Sequence, residues 1–185
     1  MANAIVLASG SPRRLELLTT LGFEVEVRRP DVDETPRAGE GAEELVQRLA
    51  VDKCNAVPAS PSEVVLAADT VVILDGEILG KPDDADHAYM MLSVLSGREH
   101  RVVSGFALRQ GEHRRVGSVE STVRMRKLTK ESITAYIATG EPFDKAGSYG
   151  VQGLGGALVE EVRGSYSNVV GLPLTEVLAE LVTLG

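Results

Sequence analysis

The sequence predicts an α/β fold with a mixed sheet, and three observations carry the prediction. Strand-like runs and helical patterns alternate through the first half of the chain. Residues 63–68 (Glu63-Val64-Val65-Leu66-Ala67-Ala68) are almost continuously apolar, as expected of a strand buried on both faces. Two long strand-like stretches, 101–109 and 116–126, meet around Gly111 and read as a late hairpin.

Each element has its own signature. Ala4-Ile5-Val6-Leu7-Ala8 is an apolar strand that runs into Ser9-Gly10-Ser11-Pro12-Arg13-Arg14. Ser11 suits a helix N-cap and Pro12 the first helical position, where a missing N–H costs nothing. Leu15, Leu17, Leu18 and Leu21 supply the apolar positions of this helix, and Gly22 stops it. Residues 23–28 alternate as a half-buried strand. Residues 29–41 form a loop punctuated by Pro30 and Pro36, with the acidic turn Asp31-Val32-Asp33-Glu34-Thr35 inside it. The next helix gathers Leu45, Val46, Leu49, Ala50 and Cys54 on one face, with Lys53 near its end.

After strand 63–68 come Asp69-Thr70 and then a short hairpin, 71–74 with 77–79, turning at Asp75-Gly76. Gly80-Lys81-Pro82 is a tight turn. Asp83, Asp84 and Asp86 open a helix containing Met90, Met91, Leu92 and Leu95, which Gly97 ends. In stretch 116–126, Val119, Val123 and Met125 take one side, and Glu120, Thr122, Arg124 and Arg126 the other. A helix from Thr129 packs Ile133, Tyr136 and Ile137 and stops at Gly140. Residues 141–147 read as a loop, 149–156 as a glycine-dense segment, 157–162 as a strand and 165–168 as a polar turn. Pro173 opens the last helix, with Leu174, Val177, Leu178 and Leu181 apolar.

Composition narrows the function. A chain of 185 residues suffices for one large domain or two small lobes, and no linker divides it. A net charge of -8 argues against a nucleic-acid polymer as partner, and 4% aromatic content without Trp argues against base-stacking platforms. The longest apolar stretch, 64–74, is broken by Asp69, so no membrane span is expected. The lone Cys54 excludes a disulfide framework and favours the cytosol; it reads as core, not as a nucleophile. No targeting segment is recognisable.

Arg13 and Arg14 occupy a helix turn whose dipole favours acids. A phosphate at that N-terminus would repair the fault. Asp69 follows a buried apolar strand, where a charge is expensive unless paired or coordinated, and sheet ends are where α/β folds bind ligands. Glu34 with Asp69 offers hard oxygens to magnesium or manganese beside substrate phosphates. Lys53 and Lys81, with the two arginines, suffice to neutralise a triphosphate and a departing pyrophosphate. His87, His100 and His113 lack metal-ligand spacing. Neither the P-loop pattern nor the serine-hydrolase elbow is present.

These motifs together resemble the Maf family of nucleoside triphosphate pyrophosphatases. The likeness runs through Ser9-Gly10-Ser11-Pro12-Arg13-Arg14, Asp33-Glu34-Thr35, Ala68-Asp69-Thr70-Val71-Val72 and Gly80-Lys81-Pro82. It continues through Leu95-Ser96-Gly97, Asp144-Lys145-Ala146-Gly147, Tyr149-Gly150-Val151-Gln152-Gly153 and Gly171-Leu172-Pro173. It implies a single family domain over 1–185, with an elongated central sheet flanked by helices and two lobes around a deep cleft. That fold is inosine triphosphate pyrophosphatase-like.

The resemblance further implies hydrolysis to the monophosphate and pyrophosphate with a divalent metal cation. Asp69 matches the catalytic acceptor, acting as general base or as metal ligand. Ser9, Arg14, Lys53 and Lys81 match the phosphate end, and Glu34 joins Asp69 at the metal. Arg13, Thr70 and Gln152 match the positions that separate subfamilies, and they resemble the dTTP/UTP type, with modified pyrimidine nucleotides as further candidates. A Gln amide carries donors and an acceptor that suit the N3–H and carbonyls of thymine or uracil. A cytoplasmic location and a homodimer are the expectations by analogy. The alternatives are a 7-methyl-GTP or broader modified-nucleotide pyrophosphatase, and a non-catalytic nucleotide-binding regulator of septum formation.

Overall fold

A computed structural model describes residues 4–184. The strands are β1 (Ala4–Leu7), β2 (Glu24–Val27), β3 (Val65–Leu74), β4 (Glu77–Leu79), β5 (Glu99–Gln110), β6 (His113–Met125) and β7 (Val159–Arg163). The helices are α1 (Pro12–Thr20), α2 (Ala42–Ala56), α3 (Ala85–Leu95), α4 (Lys130–Ile137), α5 (Tyr166–Val170) and α6 (Leu174–Thr183). The strands make one mixed sheet in the order β2-β1-β3-β5-β6-β7, with β4 paired to β3 off that path. β1 is parallel to both β2 and β3, whereas β3–β4 and β6–β7 are antiparallel. The expected α/β class, with a mixed sheet flanked by helices, is what the chain forms.

The chain divides into two compact units. The first comprises residues 1–70, 104–119 and 171–185; the second comprises 71–103 and 120–170. In the first unit, strand periodicity sorts the core onto two faces. Ile5, Leu7, Leu66, Ala68, Phe106 and Leu108 pack with Leu18, Leu172 and Val177, from the α1 and α6 side. Val6, Ala8, Val65, Ala67 and Ala107 pack with Ala50 and Cys54 of α2. Both faces of β1 and β3 are therefore buried, which explains their near-continuous apolar sequence. In the second unit, Leu92 and Leu95 of α3 join Val102, Val123, Met125, Ile133, Tyr136 and Tyr149 in one core.

Local signals set most boundaries. Ser11 is the N-cap of α1 and Pro12 follows it. The cap differs from expectation in one respect: the Ser11 side chain makes no capping bond, and its N–H instead donates to Ser9 Oγ at 3.1 Å. Asp84 caps α3 by accepting the His87 N–H at 2.8 Å. Asp75 (φ 53°) and Gly76 turn the short hairpin as predicted. Residues 165–168 differ from the predicted turn, since α5 begins at Tyr166. The segments expected to be irregular, 141–147 and 149–156, hold three 3-10 turns, Glu141–Asp144, Ala146–Ser148 and Gly153–Leu158; the last runs into the strand expected from 157, so β7 begins only at Val159. β3 runs unbroken through Asp69 and Thr70, so these residues sit inside a strand and not beyond its end.

Candidate active site

Strand alternation assigns the two central residues of β3 to opposite faces. Asp69 shares the side of Val65 and Ala67, which faces α2, and Thr70 shares the side of Leu66 and Ala68, which faces α1. Asp69 meets Lys53 in the last turn of α2, and Thr70 meets Arg14 in the first turn of α1.

The α2 face holds a buried ion pair. Lys53 Nζ donates to Asp69 Oδ1 at 2.6 Å and lies 2.7 Å from Glu34 Oε1. The Lys53 and Asp69 side chains are only 7% and 12% exposed, whereas Glu34 is half exposed in its loop. α2 can approach this closely because β5 carries Gly105 beneath it. A Cβ at Gly105 would fall 2.5 Å from the carbonyl carbon and oxygen of Val46.

On the other face, the Arg14 guanidinium is spread over three partners. Nε donates to the Gly171 carbonyl at 2.8 Å, Nη1 to Ser9 Oγ at 3.2 Å and Nη2 to Thr70 Oγ1 at 3.1 Å. Burial lowers the Arg14 pKa from its ordinary value, and Arg13 adds to that; Asp69 and Glu34 oppose it. Arginine nonetheless stays charged in proteins. A half-buried, permanently charged fork that feels the charges of Asp69 and Glu34 is suited to a substrate with several negative oxygens.

The first unit thus brings together Ser9, Arg14, Glu34, Lys53, Asp69 and Thr70. Arg13 lies half-buried one residue before Arg14 in α1. Lys81 and Gln152 belong to the second unit. Lys81 is exposed in the turn after β4. Gln152 precedes the Gly153–Leu158 turn, and its buried Oε1 has no hydrogen-bond partner among the described residues. The segment carrying Gln152 is tied down by Glu141, which accepts the N–H groups of Leu154 and Gly155, each at 3.0 Å, and the Tyr136 hydroxyl at 2.9 Å.

Among the described residues no group of three or more His, Cys, Asp and Glu forms a metal cage. Two carboxylates that converge on one ammonium are still a chemical fit for a hard cation. Magnesium typically takes one or two carboxylates and completes its shell with phosphate oxygens and water. Glu34 and Asp69 carry oxygens of that kind and both lie against the Lys53 ammonium.

Sequence reasoning did not find three contributors. Ser104 is fully buried and its hydroxyl lies 2.8 Å from that of Thr70. Gly171 acts through its carbonyl, and Glu141 through loop hydrogen bonds. Gly171 stood in a recognised motif, but a backbone carbonyl has no signature of its own in a sequence.

A family model described as Maf-like protein matches residues 4–184. A Shewanella oneidensis protein named dTTP/UTP pyrophosphatase is 53% identical over 182 residues, covering 93% of each chain. A Symbiobacterium thermophilum protein of the same name is 47% identical and covers 98% of this chain and 94% of its own. Among solved structures, a HAM1 protein from Coxiella burnetii aligns over 96% of this chain and 98% of its own with a TM-score of 0.50. At 16% identity that is a likeness of fold alone.

Proposed function

The chain belongs to the Maf family, and on that premise we propose that it hydrolyses dTTP and UTP to the monophosphate and pyrophosphate. The name shared by relatives about half identical over nearly the full length supports the substrate class. The observation that carries the chemistry is the Lys53 ammonium bonded to both Asp69 and Glu34, in the same unit as the half-buried Arg14 fork.

Glu34 and Asp69 are the residues that would hold a magnesium or manganese ion. When bound, such an ion draws charge from phosphate oxygens and acidifies nearby water. Asp69 orients a water toward the α-phosphorus or accepts its proton. Lys53 fixes the Asp69 carboxylate in place. Arg14, with Ser9, binds phosphate oxygens, and Arg14, Lys53 and Lys81 stabilise the pyrophosphate as it leaves. Arg13 and Gln152 set base preference, and Thr70, matched to the same set of positions, lies against Arg14. The unpartnered Gln152 Oε1 is an acceptor suited to the N3–H of thymine or uracil. Cytoplasmic action and a homodimer belong to the same reading by analogy. Among the described residues no helix is long and apolar enough to cross a membrane.

The test is pyrophosphate release from dTTP, UTP, 7-methyl-GTP and the common triphosphates, with magnesium or manganese, by the natural protein and Asp69→Asn. We expect dTTP and UTP to lead and Asp69→Asn to lose about 10²–10⁴-fold in turnover, the usual contribution of a general base. Near-normal turnover by Asp69→Asn would refute its role. A lead by 7-methyl-GTP would refute the base assignment. Heat protection by dTTP with no pyrophosphate formed would identify a binding protein instead.

A further inference from the structure

Thr70 stands at a position expected to select the base, yet its hydroxyl is already engaged. A hydroxyl has one proton and two lone pairs. Thr70 Oγ1 accepts from Arg14 Nη2 at 3.1 Å, lies 2.8 Å from Ser104 Oγ and lies 3.3 Å from the Gly171 carbonyl oxygen. A carbonyl only accepts, so a bond to Gly171 uses the Thr70 proton and makes Ser104 the donor; a bond donated to Ser104 uses the same proton. Either way the single Thr70 proton, and the lone pair that faces Arg14, are spent inside this cluster.

From this we propose that Thr70 does not read the base; with Ser104 and Gly171 it forms a seat that positions Arg14 for the phosphates. The inference rests on the phosphate role given to Arg14 above. Three features support it beyond the bond count. The seat grips two edges of the guanidinium, since Gly171 also accepts from Nε at 2.8 Å. Its base is rigid: Ser104 is fully buried in β5, on the same sheet face as Phe106 and Leu108, so it cannot reach a ligand itself. And Gly171 has φ +127°, a conformation that side-chain-bearing residues rarely adopt, with Thr70 Oγ1 3.5 Å and Arg14 Nε 3.6 Å from where a Cβ would lie. The backbone is therefore held in a glycine-only conformation at the point where it presents its carbonyl to Arg14. With Ser9 on Nη1, three of the five guanidinium N–H donors are spent on orientation, which leaves two for an anion.

Thr70 and Ser104 are thus positioning residues, and any effect of Thr70 on selectivity is transmitted through Arg14. The experiment compares Thr70→Val, Thr70→Ser, Ser104→Ala and Arg14→Ala with the natural protein. It measures kcat/KM for dTTP, UTP and GTP, and competitive inhibition by inorganic tripolyphosphate, which has no base. We expect Thr70→Val to lose about 10- to 150-fold in kcat/KM, the range for losing a hydrogen bond to a charged group. The loss is the same for all three nucleotides, and the tripolyphosphate inhibition constant rises in parallel. Thr70→Ser restores both quantities, and Ser104→Ala shifts both in the direction of Thr70→Val. A changed ranking among nucleotides with unchanged tripolyphosphate inhibition would overturn the proposal and make Thr70 a direct base reader. So would a Thr70→Val protein with neither quantity altered. If Arg14→Ala itself leaves tripolyphosphate inhibition unchanged, the phosphate role of Arg14 fails and the seat falls with it. If Arg14→Ala weakens inhibition and Thr70→Val does not, only the seat fails.

Discussion

Replacing Lys53 by Met removes the ammonium that Asp69 and Glu34 share while retaining most of the side-chain volume. Asp69 is then a carboxylate about nine-tenths buried without its bonded cation. Removing one partner of a buried ion pair costs about 3–5 kcal/mol. The half-exposed Glu34 adds no more than about 1 kcal/mol, because exposed pairs are screened. For a chain of this size each kcal/mol lowers the melting temperature by about 2–4 °C, so Lys53→Met should melt about 6–20 °C lower. The assay is thermal and urea unfolding at pH 7, for Lys53→Met, Asp69→Asn and the double variant. Because Asp69→Asn removes the stranded charge, the double variant should be more stable than Lys53→Met alone. A drop of less than about 2 °C in Lys53→Met, or a double variant whose loss is the sum of the two single losses, would refute the ion pair as the organiser of this face.

Burial holds the His100 pKa down at about 4, so the folded protein resists protonation that the unfolded chain accepts near 6.5. Stability is therefore full above about pH 6.5 and falls as the pH drops toward 4, by about 3 kcal/mol; His100→Gln, which keeps a partner for the Tyr149 hydroxyl, should flatten that slope in melts between pH 4 and 7. Gly105→Ala forces a methyl into the α2 backbone, so it should destabilise by at least about 1–3 kcal/mol and, by displacing Lys53, lower turnover, both measured on the purified protein. Burial disfavours the Glu141 charge, but the bonds from Gly155, Tyr136 and Leu154 outweigh it and hold the carboxyl below its usual range. Glu141→Ala should cost about 1.5–3 kcal/mol and weaken discrimination between dTTP and purine triphosphates by loosening the Gln152 segment, whereas Glu141→Gln should keep part of both.

The parts of this structure that were legible in the sequence are those set by local chemistry. Ser11-Pro12 starts α1, Asp75-Gly76 turns a hairpin, and glycines 22, 97 and 140 follow the ends of helices. The two-sided burial of β1 and β3 was readable because no polar residue interrupts their pattern until Asp69. What the sequence concealed is long-range. Asp69 read as the end of a strand because a charge inside a doubly buried one is normally prohibitive. It is tolerated since Lys53, sixteen residues away, supplies the counter-charge. Ser104 looked like any small residue in a sheet, and the Gly171 carbonyl has no letter of its own. α5 was hidden because Ser165-Tyr166-Ser167-Asn168 has turn composition. Its Asn168 is drawn inward by bonds to the Val102 carbonyl and Ser121, which no local pattern announces.

The hydrogen bond from Arg14 to Gly171 joins positions 157 residues apart. Neither compact unit is a continuous piece of chain, and the first is closed by the segment that begins at Gly171. During synthesis the residues around Ser9 and Arg14 leave the ribosome early, and the strands carrying Asp69 and Ser104 follow. The carbonyl that orients the guanidinium is made long afterwards. A nascent chain stalled before residue 171 would hold Ser9, Thr70, Lys53 and Asp69 but would lack the carbonyl that receives Arg14 Nε.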